Sequence, residues 1–455
     1  MTAFAGVSPR HSRRPPPCKL RTTPRPQEGG RRPRLGSCVP ATFLGPVCHR
    51  SSADCVLCRK AACRPNFSRL VVLQITQVTP FLVDTGGSKS WLFVKLDTDE
   101  GLVGWGEAYT QQDRDAAMLA HLVEMGRHLV GRGPFAIKHF SSVMYLDYAL
   151  RRPAMEFWSA LSALEQAMWD IAGKACGQPV YNLLGGPCRA RIRVYANGWS
   201  EQSRTPDQYA QRACEVVARG FTALKFDPFS NPWRTHIGRA EEDLAVERVR
   251  AVREAVGSSV EILIEVHRRL APNESIRIAG RLEQFQPFWY EEPIDPEDMA
   301  GLAEVRRRTS LPVVTGEALY SKAQFAQVFA QRAADILNPD VCNCGGILAL
   351  KEIASAAEPW HVAIAPHNYN STSVGLASTL QVSACIPNFL ITEYFVNFAS
   401  LGSEIASRPF EVKDSHIELP TEPGLGIELD ESALQRHKLP AERRPRHIRT
   451  YEEEQ

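Results

Sequence analysis

The stretch Glu261-Ile-Leu-Ile-Glu265-Val-His267 decides how this chain is read. A short apolar run closes on a carboxylate, where a purely stabilising core would not tolerate one. Phe288-Trp-Tyr-Glu291-Glu292-Pro293 repeats the arrangement 26 residues later, and Leu311-Pro-Val-Val-Thr-Gly-Glu317 repeats it after another 26. Short apolar runs at even spacing, with helix-length segments between them, read as strand-then-helix units. Candidate strands end near Asn197, Lys225, Glu265, Glu291, Glu317, Asp340, His367 and Glu393, and the last six steps are 40, 26, 26, 23, 27 and 26 residues. A βα unit of a barrel averages roughly 30 residues. Eight units fit residues 191–400, so the expected fold is α/β, a TIM-type (β/α) barrel. An open doubly wound sheet would also alternate strands and helices, but no glycine-rich dinucleotide loop follows the first strand.

Upstream of the barrel the pattern differs. Val71–Leu82, Trp91–Leu96 and Val103–Tyr109 read as strands, separated by Asp84-Thr85-Gly86-Gly87 and by Asp97–Gly101. Helices are expected from about Asp113, the clearest carrying Leu161, Leu164, Met168, Ile171 and Ala175 on one face and ending at Gly177 and Pro179. Residues 71–190 are thus expected to form an α+β capping domain. Residues 401–455 are loop-rich and are expected to return in part to complete it.

Residues 1–70 stand apart. They hold fourteen Lys/Arg against Glu28 and Asp54, a charge of +12, so the rest of the chain carries about −10 of the overall +2. A nucleic-acid partner inferred from the overall balance would rest on the wrong part of the chain. This leader also contains ten of the 32 prolines and six of the twelve cysteines, and it reads as disordered or as an extension outside the fold. Cys48, Cys55, Cys58 and Cys63 fit no standard zinc spacing. The leader's Arg-rich, acid-poor character resembles a transit peptide without an amphipathic helix, and it lacks the apolar segment of a secretory signal. No apolar run reaches the ~18 residues needed to cross a bilayer. The scattered body cysteines, among them Cys342 and Cys344, suit reduced thiols in the cytoplasm.

Barrel enzymes place reactive side chains at the C-terminal ends of their strands. There Glu265, Glu291 and Glu317 would converge, and three carboxylates repel unless a cation or protons neutralise them. Each alone could simply begin a solvated loop; three at matching strand ends point to a shared hard cation, and oxygen ligands suit Mg²⁺. Asp340 and His367 end neighbouring strands, and an aspartate beside a histidine fixes its tautomer and raises its basicity. His267, two residues past Glu265, faces the same side. Lys225 and Asp227 end a strand and are expected to line the pocket. Tyr109, His139, Arg151, Arg152 and Trp158 lie in the cap and could reach a substrate, while His121, His128 and His236 read as surface residues.

These motifs resemble the mandelate racemase/muconate lactonizing enzyme family of the enolase superfamily, and are especially similar to its galactonate dehydratase group. The similarity runs from about Val71 to Phe398. It includes Trp105-Gly106-Glu107-Ala108, Ala163-Leu-Glu165-Gln-Ala-Met-Trp169-Asp170-Ile-Ala-Gly173-Lys174 and Gly177-Gln-Pro179-Val-Tyr-Asn-Leu-Leu-Gly185-Gly186. The resemblance implies that Glu265, Glu291 and Glu317 bind one Mg²⁺ per active site. It implies dehydration of a sugar acid such as galactonate or gluconate to a 2-keto-3-deoxy acid through an enediolate. His367, supported by Asp340, would take the C2 proton, and His267 would protonate the departing hydroxyl. Glu393 would contact the substrate, donating a hydrogen bond if protonated. A homo-oligomer is expected, with no nucleic-acid or membrane partner. Two positions depart from the pattern: Glu265 stands where galactonate dehydratases usually have aspartate, and Lys225-Phe226-Asp227 replaces the Lys-x-Lys of racemases and lactonizing enzymes. The second departure removes the usual lysine base. The alternatives are an epimerase, racemase or cycloisomerase using the same scaffold, or a catalytically silent relative.

Overall fold

The computed structural model describes residues 73–454, Ser88 excepted. The expectations for residues 1–70, including the four closely spaced cysteines, lie outside the described residues. Three antiparallel strands, β1 (Ile75–Asp84), β2 (Ser90–Thr98) and β3 (Val103–Ala108), form the first sheet in the order β1-β2-β3. Helices α1 (Asp115–Gly126), α2 (Ile137–Val143) and α3 (Met155–Cys176) follow.

Helix α3 buries Leu161, Leu164, Met168 and Ile171 and ends at Gly177, whose φ of 65° a side-chain-bearing residue adopts only at a cost. It lies directly on β3. A Cβ at Gly104 would come within 2.2 Å of the Ala167 carbonyl oxygen, and one at Gly106 within 1.9 Å of that of Ala163. Two glycines therefore bring the helix and strand backbones together.

Eight parallel strands come next: β4 (Arg191–Asn197), β5 (Ala223–Phe226), β6 (Glu261–Glu265), β7 (Trp289–Glu291), β8 (Val313–Thr315), β9 (Ile336–Leu337), β10 (Ala363–Ile364) and β11 (Thr392–Phe395). They are ordered β10-β9-β8-β7-β6-β5-β4-β11, with β12 (His416–Glu418) antiparallel on β4. At the two ends of that order, Ile364 pairs with Phe389 just ahead of β11. Helices α4 (Pro206–Ala218), α5 (Arg239–Val256), α6 (Pro272–Leu282), α7 (Met299–Arg308), α8 (Lys322–Gln331), α9 (Ile347–Ala357) and α10 (Val374–Cys385) connect the strands. Two start on capping boxes, Thr205 with Gln208 and Ser321 with Gln324.

Several strands stop earlier than the sequence suggests. Glu317, Asp340 and His367 lie two to three residues beyond β8, β9 and β10, whereas Glu393 is the second residue of β11. At Gly316 the backbone turns with φ 146°, and a side chain there would crowd Asn338, whose N–H donates to the Thr315 carbonyl at 3.1 Å.

The tail meets the first sheet and α3. Leu425 N–H donates to Asp170 Oδ1 at 2.8 Å, Val180 N–H to the Gly424 carbonyl at 3.0 Å, and Asp84 N–H to the His437 carbonyl at 2.7 Å. No helix among the described residues is long and apolar enough to cross a membrane.

Candidate active site

One buried cluster takes a residue from, or next to, each parallel strand: Tyr195, Ala223, Leu263, Trp289, Val314, Ile336, Ala365 and Ile391. Side chains two apart on a strand share a face. Two residues onward from these stand Asn197, Lys225, Glu265, Glu291, Gly316, Asn338, His367 and Glu393. A polar layer therefore lies one pleat above an apolar one, and only Gly316 contributes no side chain to it. Glu317, the next residue, supplies the carboxylate at that point.

Glu265 and Glu291 are paired in register across β6 and β7. Oxygens of Glu265, Glu291 and Glu317 lie within 4.8 Å of one another. Lys225, buried among them, approaches Glu291 at 2.7 Å, Glu393 at 2.9 Å and Glu265 at 3.3 Å. Burial alone would lower its pKa, but Glu291 and Glu393 outweigh it and hold the ammonium charged. Burial and then Glu265 push the Glu291 carboxyl well above the usual range. For Glu317 burial acts upward too, but Arg268, which bonds to it directly, and the two histidines hold it well below that range. Glu291 Oε2 is buried and accepts no hydrogen bond, and Glu265 Oε2 is met by the Lys225 ammonium alone, at 3.3 Å. An orphaned carboxylate oxygen is costly unless something else meets it. Three converging hard donors, one with such an oxygen, fit a small divalent cation.

Beside this cluster stands His367. Its Nδ1 is 2.7 Å from Asp340 Oδ2, and its Nε2 is 3.1 Å from Glu317 and 3.5 Å from Glu393. Asp340 is fixed in turn by Asn370 Nδ2, 2.9 Å from each oxygen, and by the Cys342 N–H at 2.7 Å. Burial would lower the imidazole's pKa, yet Glu393, Glu317 and Asp340 together push it up to about 9.

Glu393 accepts from Asn197 Nδ2 at 2.7 Å and from the Asn368 N–H at 2.9 Å. Burial raises its pKa, but Lys225 and His367 more than offset that. In this arrangement Glu393 serves as an acceptor of three hydrogen-bond donors, Asn197, the Asn368 amide and Lys225. On the far side His267 places Nδ1 2.8 Å from Asp227 Oδ2. Asp227 thus faces His267, and Lys225 faces three acids. Neither ends in open space.

Of the cap residues, Tyr109 is buried with its ring 6.1 Å from that of His367. Trp158 stacks on Tyr145, and His139, Arg151 and Arg152 are exposed. His128 and His236 are exposed, but His121 is half-buried, its ring edge-on to Tyr148. Sequence reasoning missed Arg268, Asn338, Asn370 and Trp233. The two-residue step from Ile336 could have singled out Asn338; the others come from loops whose course no periodicity reveals.

The sequence pattern of the family described as "Enolase C-terminal domain-like" matches residues 208–433, and that of "Mandelate racemase / muconate lactonizing enzyme, N-terminal domain" matches residues 69–185. A D-gluconate dehydratase of Thermoproteus tenax is 36% identical over 349 residues, which cover 76% of this chain and 69% of the relative. A D-gluconate/D-galactonate dehydratase of Picrophilus torridus is 36% identical over 349 residues, covering 77% and 88%. The solved structure of a mandelate racemase/muconate lactonizing enzyme from Jannaschia sp. CCS1 superposes with a TM-score of 0.76 at 32% identity, covering 81% of this chain and 99% of that one.

Proposed function

The chain belongs to the mandelate racemase/muconate lactonizing enzyme family of the enolase superfamily, and from that premise we propose that it dehydrates a sugar acid of the gluconate or galactonate kind to its 2-keto-3-deoxy acid. The observation that carries this reading is a carboxylate triad flanked by two histidines, each bonded through Nδ1 to an aspartate. In this reading the eight parallel strands close into a barrel, supported by the Ile364–Phe389 pairing and by the apolar layer drawn from every strand. Residues 71–190 are its cap, 191–400 the barrel, and 401–455 the segment returning to the cap. We place the enzyme in the cytoplasm, on the free thiols of its described cysteines.

Glu265, Glu291 and Glu317 would hold one Mg²⁺. Bound there, the ion supplies positive charge for the substrate carboxylate as electron density moves onto it. With its Nδ1–H hydrogen-bonded to Asp340, His367 offers Nε2 as the base. That nitrogen takes the C2 proton, and the C–H electron pair moves toward the carboxylate to give the enediolate. His267 then gives a proton to the C3 hydroxyl as the C–O bond breaks, so water leaves and the enol relaxes to the ketone. General acid–base assistance of this kind supplies ~10²–10⁴-fold. Lys225 keeps the triad from carrying its full negative charge. With Asp227 in place of a second lysine, the strand lacks the opposing base that a two-base racemase needs.

The test is a panel of acid sugars with Mg²⁺, read for 2-keto-3-deoxy product. Turnover of a gluconate- or galactonate-type acid is the expected result. Inversion at C2 without loss of water would overturn the dehydratase reading.

A further inference from the structure

His267 sits on an unusual piece of backbone. It and Arg268 have φ values of 55° and 63°, consecutive left-handed residues separated from the end of β6 by Val266. Two non-glycine residues hold that conformation only where their surroundings impose it. Two groups impose an orientation on the ring. Asp227 Oδ2 lies 2.8 Å from Nδ1. That same oxygen is bonded by the guanidinium of Arg269, whose Nε donates to the Val266 carbonyl at 2.8 Å, and Asp227 Oδ1 accepts the Phe229 N–H at 2.8 Å. The carboxylate is thus tied from three directions. Trp233, 46% exposed, lies flat on the imidazole with centroids 5.2 Å apart and planes 20° apart. The guanidinium carbons of Arg268 and Arg269 are 5.7 and 5.3 Å from its ring centre. Among the described residues, Nε2 is the imidazole nitrogen with no hydrogen-bond partner.

We propose that Asp227 and Trp233 are positioning residues for His267: the carboxylate fixes which nitrogen is presented, and the indole fixes the plane of the ring. Both come from the segment that follows β5, so this segment, together with the left-handed turn bearing His267, sets the acid's geometry. An imidazole bonded at Nδ1 and stacked on one face has lost the ring flip and most of its χ2 freedom. It can present only Nε2 to a leaving hydroxyl. A misplacement of about 1 Å can cost on the order of 10²-fold in rate. The proposal rests on the reading of His267 as the group that assists departure of the hydroxyl.

A double-mutant cycle tests it, using the full chain with Mg²⁺ and whichever acid sugar it turns over. His267→Asn, Asp227→Ala, Trp233→Ala, Trp233→Phe and the pairings of the first with the next two are compared in kcat and KM. Asp227→Ala is expected to lower kcat roughly 10²-fold and Trp233→Ala roughly tenfold, with KM within about twofold and with Trp233→Phe restoring most of the loss. In the His267→Asn background neither change should cost anything further, because residues that act through a third are not additive with its loss. Costs that multiply in that background, or a raised KM at unchanged kcat, would overturn the positioning role and make Asp227 a substrate contact. An unchanged kcat in Trp233→Ala, at a half-exposed site where folding is not at stake, would overturn the part assigned to the indole. Undiminished dehydration by His267→Asn alone would instead remove the acid role itself, a distinct failure.

Discussion

The roles of individual side chains here turn on charge held in a confined space. His367 accepts a proton only as the neutral imidazole, so kcat/KM should climb with pH through its pKa. Glu393 and Glu317 push that value up to about 9. A cation beside Glu317 subtracts from the same field, so the rising limb should lie below 9 and move lower as Mg²⁺ occupancy increases. A pH–rate series at several Mg²⁺ concentrations measures this; a limb that falls with rising pH would contradict the base assignment. His367→Asn should lose both dehydration and exchange of the C2 proton with D₂O, while dehydration in His267→Asn falls by ~10²-fold or more. Glu265 and Glu291 could be picked out in the sequence because each closes a short apolar run, whereas Glu393 sits inside its run and was reached only through the spacing. Glu317, Asp340 and His367 were found by the same spacing although they lie beyond their strands, carried there by loops of a length the spacing absorbs. The pairing of Asp227 with His267 was not legible, since it joins different strands 40 residues apart and depends on a left-handed turn that histidine rarely enters. Nor was Arg268, whose bond to Glu317 follows from the same turn.

At the level of elements, the spacing of apolar runs located the parallel strands to within a few residues, because a strand buried on both faces leaves a continuous signature. What it could not register is where two backbones touch. Gly104 and Gly106 look like ordinary strand glycines, yet they set the distance between β3 and α3. Gly106→Ala would drive a methyl group to 1.9 Å from the Ala163 carbonyl oxygen. The helix would have to withdraw, and we expect a loss of about 3 kcal/mol in urea unfolding, the upper end of overpacking costs. An unaltered midpoint would mean that α3 sits farther from the sheet. The motifs around these glycines serve attachment rather than chemistry. Glu107 accepts from the N–H of Ser371 at 2.8 Å and of Gly375 at 2.7 Å, around the start of α10. Glu165 accepts from those of Ile347 at 2.7 Å and Leu348 at 2.9 Å at the start of α9. Both acids thus occupy the positive ends of helices.

For the molecule as a whole, ligand binding and stability are one equilibrium. A cation that binds the folded triad and not the unfolded chain stabilises by about 2.7 kcal/mol at a hundredfold excess over its Kd. Thermal unfolding should therefore shift upward with Mg²⁺, and chelation should abolish turnover until the ion is restored. Glu291→Gln should erase the Mg²⁺-dependent shift. Its metal-free Tm should fall, because the buried Lys225 ammonium loses the carboxylate 2.7 Å away. An unchanged metal-free Tm would mean that Glu265 and Glu393 satisfy the ammonium by themselves. The seating of Glu107 and Glu165 in two helix starts has a consequence for motion. To lift away as a hinged lid, the three-stranded sheet with α3 would have to strip two buried carboxylates from their amide donors at once. Slow opening of that kind belongs with global unfolding. Hydrogen exchange should accordingly find the amides of Ser371, Gly375, Ile347 and Leu348 protected to nearly the same free energy as the strands. The cap is then a fixed wall of the enclosure, and turnover proceeds without its lifting.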